Sequence, residues 1–371
     1  MCDWIVVGAR MALASCSISM RRSNPCVSLP SSIQTIPNYY SMKTILTLTL
    51  ATLVCGSGVC ADRLTPRQNE TTQSGTVQYI AFGNFDKWLV RKVTESGVLG
   101  GETKTLYEIA PTATWNNNNA YKNQGGSPWA TSNVMAKVAG ITKTNVSVYR
   151  EQRPGHGYCA KLYTHLEHCK VIGLVNIDVL AAGSIYLGET QEPITGTKNP
   201  MAKLNAGIKF NKRPKAICFD YKVQLSGKPN RVKQTGFGKA STVNGIDMPD
   251  CVLYLQQRWE DSKGNIHAKR VGTMVHRFNK NTGWVNNAQF TIRYGNVSKQ
   301  SGYSSYMGLA TGANQKYARN SKGKMVPIIE EWGTGDETPT HIILQFDSSH
   351  GGAYVGSVGN TFWVDNVRLV Y

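Results

Sequence analysis

The last residues, Thr361 to Tyr371, read Thr-Phe-Trp-Val-Asp-Asn-Val-Arg-Leu-Val-Tyr, and a run this rich in β-branched and aromatic residues belongs inside a sheet. At a period of two, Trp363, Asp365, Val367, Leu369 and Tyr371 share one face, and Phe362, Val364, Asn366, Arg368 and Val370 share the other. Both faces are largely apolar, so the strand is expected to be central or covered on both sides. Just before it, Gly351, Gly352, Gly356 and Gly359 allow a short strand to turn tightly into the last one. A terminus tied into a sheet in this way indicates an all-β jelly-roll or β-sandwich with long loops.

The other end of the sequence reads as a leader. Met42-Lys43 is a basic start, Thr44 to Val54 is apolar, and Val59-Cys60-Ala61 carries small residues where a signal peptidase reads, so residues 42–61 form a secretory signal cleaved before Asp62. Residues 1–41 have neither strand nor helix period and read as an over-extended reading frame, with an ordinary disordered leader as the alternative. Residues 62–76 read as a flexible linker and residues 77–371 as one large domain. Cys55 follows Leu53-Val54 and Cys60 follows Val59, which disfavours lipoprotein processing. No other apolar run reaches the ~20 residues of a membrane helix. The mature chain is therefore expected to be secreted or periplasmic, with association at a cell surface left open.

Of nine cysteines, Cys159, Cys169, Cys218 and Cys251 lie beyond the leader, too few for a disulfide scaffold and without a CxxC pair for zinc. All three pairings, and four free thiols, stay open. The formal charge is +18, of which the leader's four basic and one acidic residues account for little. Lys and Arg are scattered rather than grouped, so the charge argues for weak attraction to acidic surfaces or polysaccharides and against nucleic acid. Oligomeric state is not legible.

From Val77 onward, short strand patterns alternate with Gly, Asn, Pro and Ser-rich turns. Four of the strands have informative phases. In Ala216 to Leu225, Phe219, Tyr221, Val223 and Leu225 oppose Cys218, Asp220, Lys222 and Gln224; in Cys251 to Arg258, Cys251, Leu253 and Leu255 oppose Tyr254, Gln256 and Arg258. In Thr340 to Asp347, Ile342, Leu344 and Phe346 oppose His341, Ile343, Gln345 and Asp347; in Tyr158 to Glu167, Ala160, Leu162, Thr164 and Leu166 oppose Lys161, Tyr163, His165 and Glu167. Side by side in one curved sheet, the polar faces would make a groove in which Tyr163, His165, Asp220, Lys222, Gln256, Arg258, His341 and Gln345 bind sugar hydroxyls. A plain solvated outer face is the alternative. Trp115 and Trp129, in a long polar loop, either stack on a sugar or cap the core.

Hydrolysis of a glycoside needs two carboxylates, and the polar faces offer Glu167, Asp220 and Asp347. GxSxG, HExxH and P-loop motifs are absent. His165-x-x-His168 points its rings to opposite faces of a strand, which argues against a shared metal. Asp365, among apolar neighbours, requires a salt bridge, hydrogen bonds or a structural Ca²⁺; no other cofactor is indicated.

Several segments together resemble a known family, the putative carbohydrate metabolism domain of secreted and surface proteins from gut anaerobes. They are Trp129 to Val134, Gly155 to Leu162, Ala182 to Gly188, Arg213 to Lys222, Asp250 to Trp259, and Phe346 through the glycine turn to Val367. The resemblance implies a jelly-roll that is galactose-binding-like or like a carbohydrate-binding module, and it carries no catalytic residues across. The resulting expectation is a secreted glycan-binding protein whose partner is an oligo- or polysaccharide. A glycoside hydrolase and a structural surface protein are the alternatives.

Overall fold

The computed structural model describes residues 75–371 except 124–125, 139, 172–174, 197 and 237. The expected reading-frame extension and signal lie outside these residues, as does all but the end of the linker. The described residues fall within one compact unit, Gln68–Tyr371. Among them the secondary structure is strand with a few short 3-10 turns, so the fold is all-β as expected.

The final strand, Thr361–Val370, sits inside a six-stranded sheet in the order Val285–Thr291, Ala216–Gln224, Thr361–Val370, Tyr158–Tyr163, Val148–Gln152, with Val77–Tyr79 paired to its C-terminal end. Its phase does not run straight through. Phe362 and Val364 enter the core, and so do Val367 and Leu369, because one residue is inserted near Asp365 and Asn366. Asn366 takes a left-handed backbone (φ 54°), which asparagine tolerates better than most residues, and the bulge returns alternate side chains to the same side. A strict period of two across that point therefore misassigns the second half of the strand.

A ten-stranded sheet packs against this one, and Phe219, Phe362, Leu253, Leu344 and Phe346 interdigitate between them as the core of a sandwich. The larger sheet also closes on itself. Ser184–Thr190 pairs through its first residues with His341–Asp347 and through its last with Leu204–Ala206. The circuit runs His341–Asp347, Asp250–Glu260, Ile266–Arg277, Met325–Trp332, Tyr317–Arg319, Leu204–Ala206 and back to Ser184–Thr190. Inside this small barrel lies a second core of Val252, Tyr254, Ile266, Ala268, Ile328 and Ile343. Such barrels fill their interior with side chains and leave a ligand site at a mouth.

The expected strand Tyr158 to Glu167 divides at Thr164. Tyr158–Tyr163 stays in the six-stranded sheet, whereas His165–Val171 pairs with Val175–Ala181 in a separate three-stranded sheet. The Thr164 backbone bonds Asn360 and Gly359 instead of a strand partner, and its hydroxyl shares a 2.7 Å hydrogen bond with Ser348 Oγ. The chain re-enters the barrel through Gly183, where a Cβ would lie 2.3 Å from the Ser147 carbonyl oxygen and 2.5 Å from the Tyr163 nitrogen. Gly183→Ala is expected to cost about 1–3 kcal/mol as an overpacking change against backbone that cannot give way. Urea unfolding measures it, and an unchanged midpoint would show that the crossing can relax.

Cys159, Cys218 and Cys251 are buried free thiols and Cys169 is a half-buried one.

Candidate functional site at the barrel mouth

The strand phases read from the sequence hold for Ala216–Gln224, Asp250–Glu260 and His341–Asp347, but the polar faces do not meet. Ala216–Gln224 belongs to the six-stranded sheet and the other two to the barrel, so the sandwich core separates Asp220 and Lys222 from Gln256 and Arg258. The single groove expected from these strands is not formed.

On the six-stranded sheet, Asp220 is buried in an ionic cluster. Arg153 Nη1 donates to Asp220 Oδ2 at 2.9 Å and to Asp365 Oδ2 at 2.6 Å, Asn366 Nδ2 donates to Asp220 at 2.9 Å, and the Asn287 amide donates at 2.7 Å. Burial acts against the charge of Asp220, but these donors hold its carboxyl below the usual range. Asp220 is thus committed to structure, and the cation beside Asp365 is the Arg153 guanidinium. Lys222 Nζ lies 3.8 Å over the Trp363 ring, a place a sugar would need.

Gln256, Arg258 and His341 occupy the other end of the barrel strands. His341 lies six residues from Asp347, roughly 20 Å along a strand. Gln256 is wholly buried, donating to Glu330 and accepting from Arg258 Nε at 2.7 Å, while Arg258 Nη2 donates to the Ala206 carbonyl at 2.9 Å. Burial, with Arg258 and Lys209 nearby, pushes His341 down to about 4. Tyr163 and His165 stack on each other at 6.0 Å beside the Thr164 break. Trp129 is 0% exposed, edge-on to Phe85 at 5.3 Å, with its indole N–H donating to the Ala81 carbonyl at 2.9 Å. It is a core residue and cannot stack on a ligand. Trp115 is half-buried against Leu89, Ala110 and Tyr121. Among the described residues, the exposed tryptophan is Trp259, at 43%.

What the fold does gather is a cavity of about 480 Å³ at the barrel mouth, a size typical of small-molecule sites. Gln345, Asp347 and Glu167 line it, joined by Asp250, Arg277 and Lys316. Asp250 and Asp347 are direct cross-strand partners, and Arg277 and Ser184 flank them in the same row. Side chains so placed have Cβ atoms about 4.5–5.5 Å apart. Asp347 accepts from Ser184 Oγ and, at 2.9 Å, from Gln345 Nε2, whose Oε1 accepts from Lys316 Nζ at 2.6 Å. Asp250 is only 6% exposed, and its Oδ1 has no hydrogen-bond partner in the protein.

Burial raises both carboxyls above the ordinary range; the charge of Asp347 pushes Asp250 further up, whereas Lys316, Ser184 and Gln345 pull Asp347 back down. A proton held by the pair sits on Asp250 in preference to Asp347, since the donors and the nearby ammonium favour charge on Asp347. Glu167 lines the same cavity, held by Lys143 Nζ at 2.7 Å. Arg277 and Asn145 also line the cavity, and their Nε and Oδ1 atoms, like Asp250 Oδ1, are buried without a partner in the protein. The fold thus leaves three polar atoms unsatisfied on residues that line one cavity. Among the described residues, no three His, Cys, Asp or Glu side chains gather as a metal site.

Asp250 escapes the sequence reading although the signal is there. It shares the phase of Tyr254 and Gln256, but the strand was expected to start one residue later, at Cys251. Lys316 lies in a loop-like stretch with no periodicity to mark it.

The fold thus defines an all-β protein with a carboxylate pair at a cavity of ligand size. The chain belongs to the putative carbohydrate metabolism domain family, whose model matches residues 101–370. Its function is accordingly related to carbohydrate. Among solved structures, that of a putative glycoside hydrolase from Bacteroides thetaiotaomicron VPI-5482 is similar at 16% sequence identity, over 73% of this chain and 76% of that one, with a TM-score of 0.39. No curated protein matches the chain. No helix of the described residues is long and apolar enough to cross a membrane.

Proposed function

We propose that this protein is a glycoside hydrolase working at the barrel mouth, with Asp250 as general acid and Asp347 as nucleophile. The observation that carries the reading is the directly opposed Asp250–Asp347 pair lining the cavity. Carboxyls about 5–5.5 Å apart suit a double displacement with retention. In the first step Asp347 attacks the anomeric carbon while Asp250 gives its proton to the departing glycosidic oxygen. In the second, Asp250, now a carboxylate, takes a proton from water as that water displaces Asp347 from the sugar. Lys316 and Gln345 hold Asp347 charged and aimed, and Arg277 and Asn145 are available to sugar hydroxyls. Saccharide is the partner, and export through the segment at residues 42–61 would place the enzyme outside the cytoplasm.

Incubating the full chain with a panel of nitrophenyl glycosides and polysaccharides tests the proposal. Product of retained anomeric configuration is the expected result. Tight saccharide binding without turnover on any substrate would reduce the protein to a binder.

The pH dependence follows from the shared proton. Activity should persist above the ordinary carboxylate range and fall when the pair loses its second proton. Lys316→Met removes a charge that opposes protonation, so the alkaline limb of kcat/KM should move to higher pH. A limb that stays in place or moves down would exclude the pair as its source.

A further inference from the structure

The cavity has a second character that a sugar does not explain. Asp250, Asp347, Gln345 and Arg277 come from the barrel strands, whereas around them, beside Lys143, Asn145 and Glu167, the lining is aliphatic: Val134, Ala136 and Ile141 from the hairpin Val134–Val138 and Ile141–Asn145, Val179 from the adjoining sheet, Ile194, and Leu204 at the start of the barrel strand Leu204–Ala206. None of the six belongs to the hydrophobic cores of the sandwich or the barrel, and all are half-buried. Sugar rings carry a hydroxyl on nearly every carbon, and burying those groups against aliphatic side chains leaves them unsatisfied. Aromatic faces, which suit sugar rings better, are few on this wall. Left open, the wall holds apolar surface in water in the same cavity as the carboxylate pair.

Resting on the hydrolase reading above, we propose that the substrate is an amphipathic glycoside, a sugar whose glycosidic oxygen carries an aliphatic group. The sugar lies over Asp250 and Asp347, and the aglycone lies along Val134, Ile141, Val179 and Leu204. The barrel floor and the surrounding wall then each meet the half of the ligand whose chemistry they match, and the scissile bond lies where the two meet. The leaving group of the first step is the aliphatic alcohol, which receives the Asp250 proton.

Calorimetric titration of the full chain with n-alkyl β-D-glucosides from methyl to octyl, and with the matching galactosides, tests this below their micelle concentrations. Each added methylene should tighten binding roughly fourfold until the wall is covered, with the same slope for both headgroups. Ile141→Asn should flatten that slope without weakening the methyl glycosides, and Leu204→Asn provides a second variant should the first fold poorly. Affinity independent of chain length, no binding of the octyl members, or a slope unchanged in both variants would overturn the inference. The two readings fail separately: a chain-length slope with no turnover of any alkyl glycoside sinks the hydrolase alone, and turnover without a slope sinks the amphipathic substrate alone.

Discussion

Asp347→Asn is expected to lower hydrolysis by about 10²- to 10⁴-fold, and Asp250→Asn by a similar factor on substrates with poor leaving groups. The two variants should part on nitrophenyl glycosides. A good leaving group departs without a proton, so the loss at Asp250 shrinks there while the loss at Asp347 does not. Both substitutions keep the shape of the side chain; Asp347→Asn removes a charge that burial disfavours and Asp250→Asn replaces a protonated carboxyl with a neutral amide, so melting temperature should hold or rise. Steady-state kinetics on one poor and one good leaving group, beside thermal unfolding, reads all of this. Full activity in either variant would end the assignment of that residue. A large fall in stability would instead make the pair structural.

Trp129→Ala is expected to cost about 3–5 kcal/mol of stability, the usual range for truncating a large core aromatic. The ring fills the space between Phe85 and Phe346, and its N–H is satisfied by the Ala81 carbonyl, so truncation leaves a cavity and an orphaned acceptor together. Saccharide affinity, measured at a temperature where both forms are folded, should not change. Weakened binding with an unchanged melting temperature would return Trp129 to the site.

The local alternation of the barrel and sandwich strands was legible because burying one face of a strand imposes a period of two on its own residues. Phe219, Leu253 and Leu344 were assigned inward on that ground, and all three lie in the sandwich core. The same rule failed wherever the backbone left the regular pleat. At Asn366 an inserted residue returned Val367 and Leu369 to the core, and at Thr164 hydrogen bonds to Gly359 and Asn360 broke one expected strand into two sheets. Nothing in the residues around either point separates them from an uninterrupted strand, since the cause lies in distant partners.

The candidate site was legible only in part, for the same reason. Gln345, Asp347 and Glu167 were named from their polar phase and do line the cavity, whereas Asp220, with the same phase and chemistry, is locked to Arg153 on the other sheet. Trp129 looked like a loop residue because its sequence neighbours are polar; its spatial neighbours are Phe85 and Phe346.

By itself, then, the sequence determined the all-β class, which face of each regular strand is apolar, and through its ordered motifs the family. Those properties depend on residues a few positions apart. Only the tertiary structure decided that Ser184–Thr190 closes the larger sheet into a barrel, and that Asp250–Glu260 pairs with His341–Asp347 so that Asp250 stands opposite Asp347 across ninety-seven residues of chain. Strand partners are chosen by the fit of whole faces, so which carboxylate meets which is a property of the assembled sheet and not of any one strand.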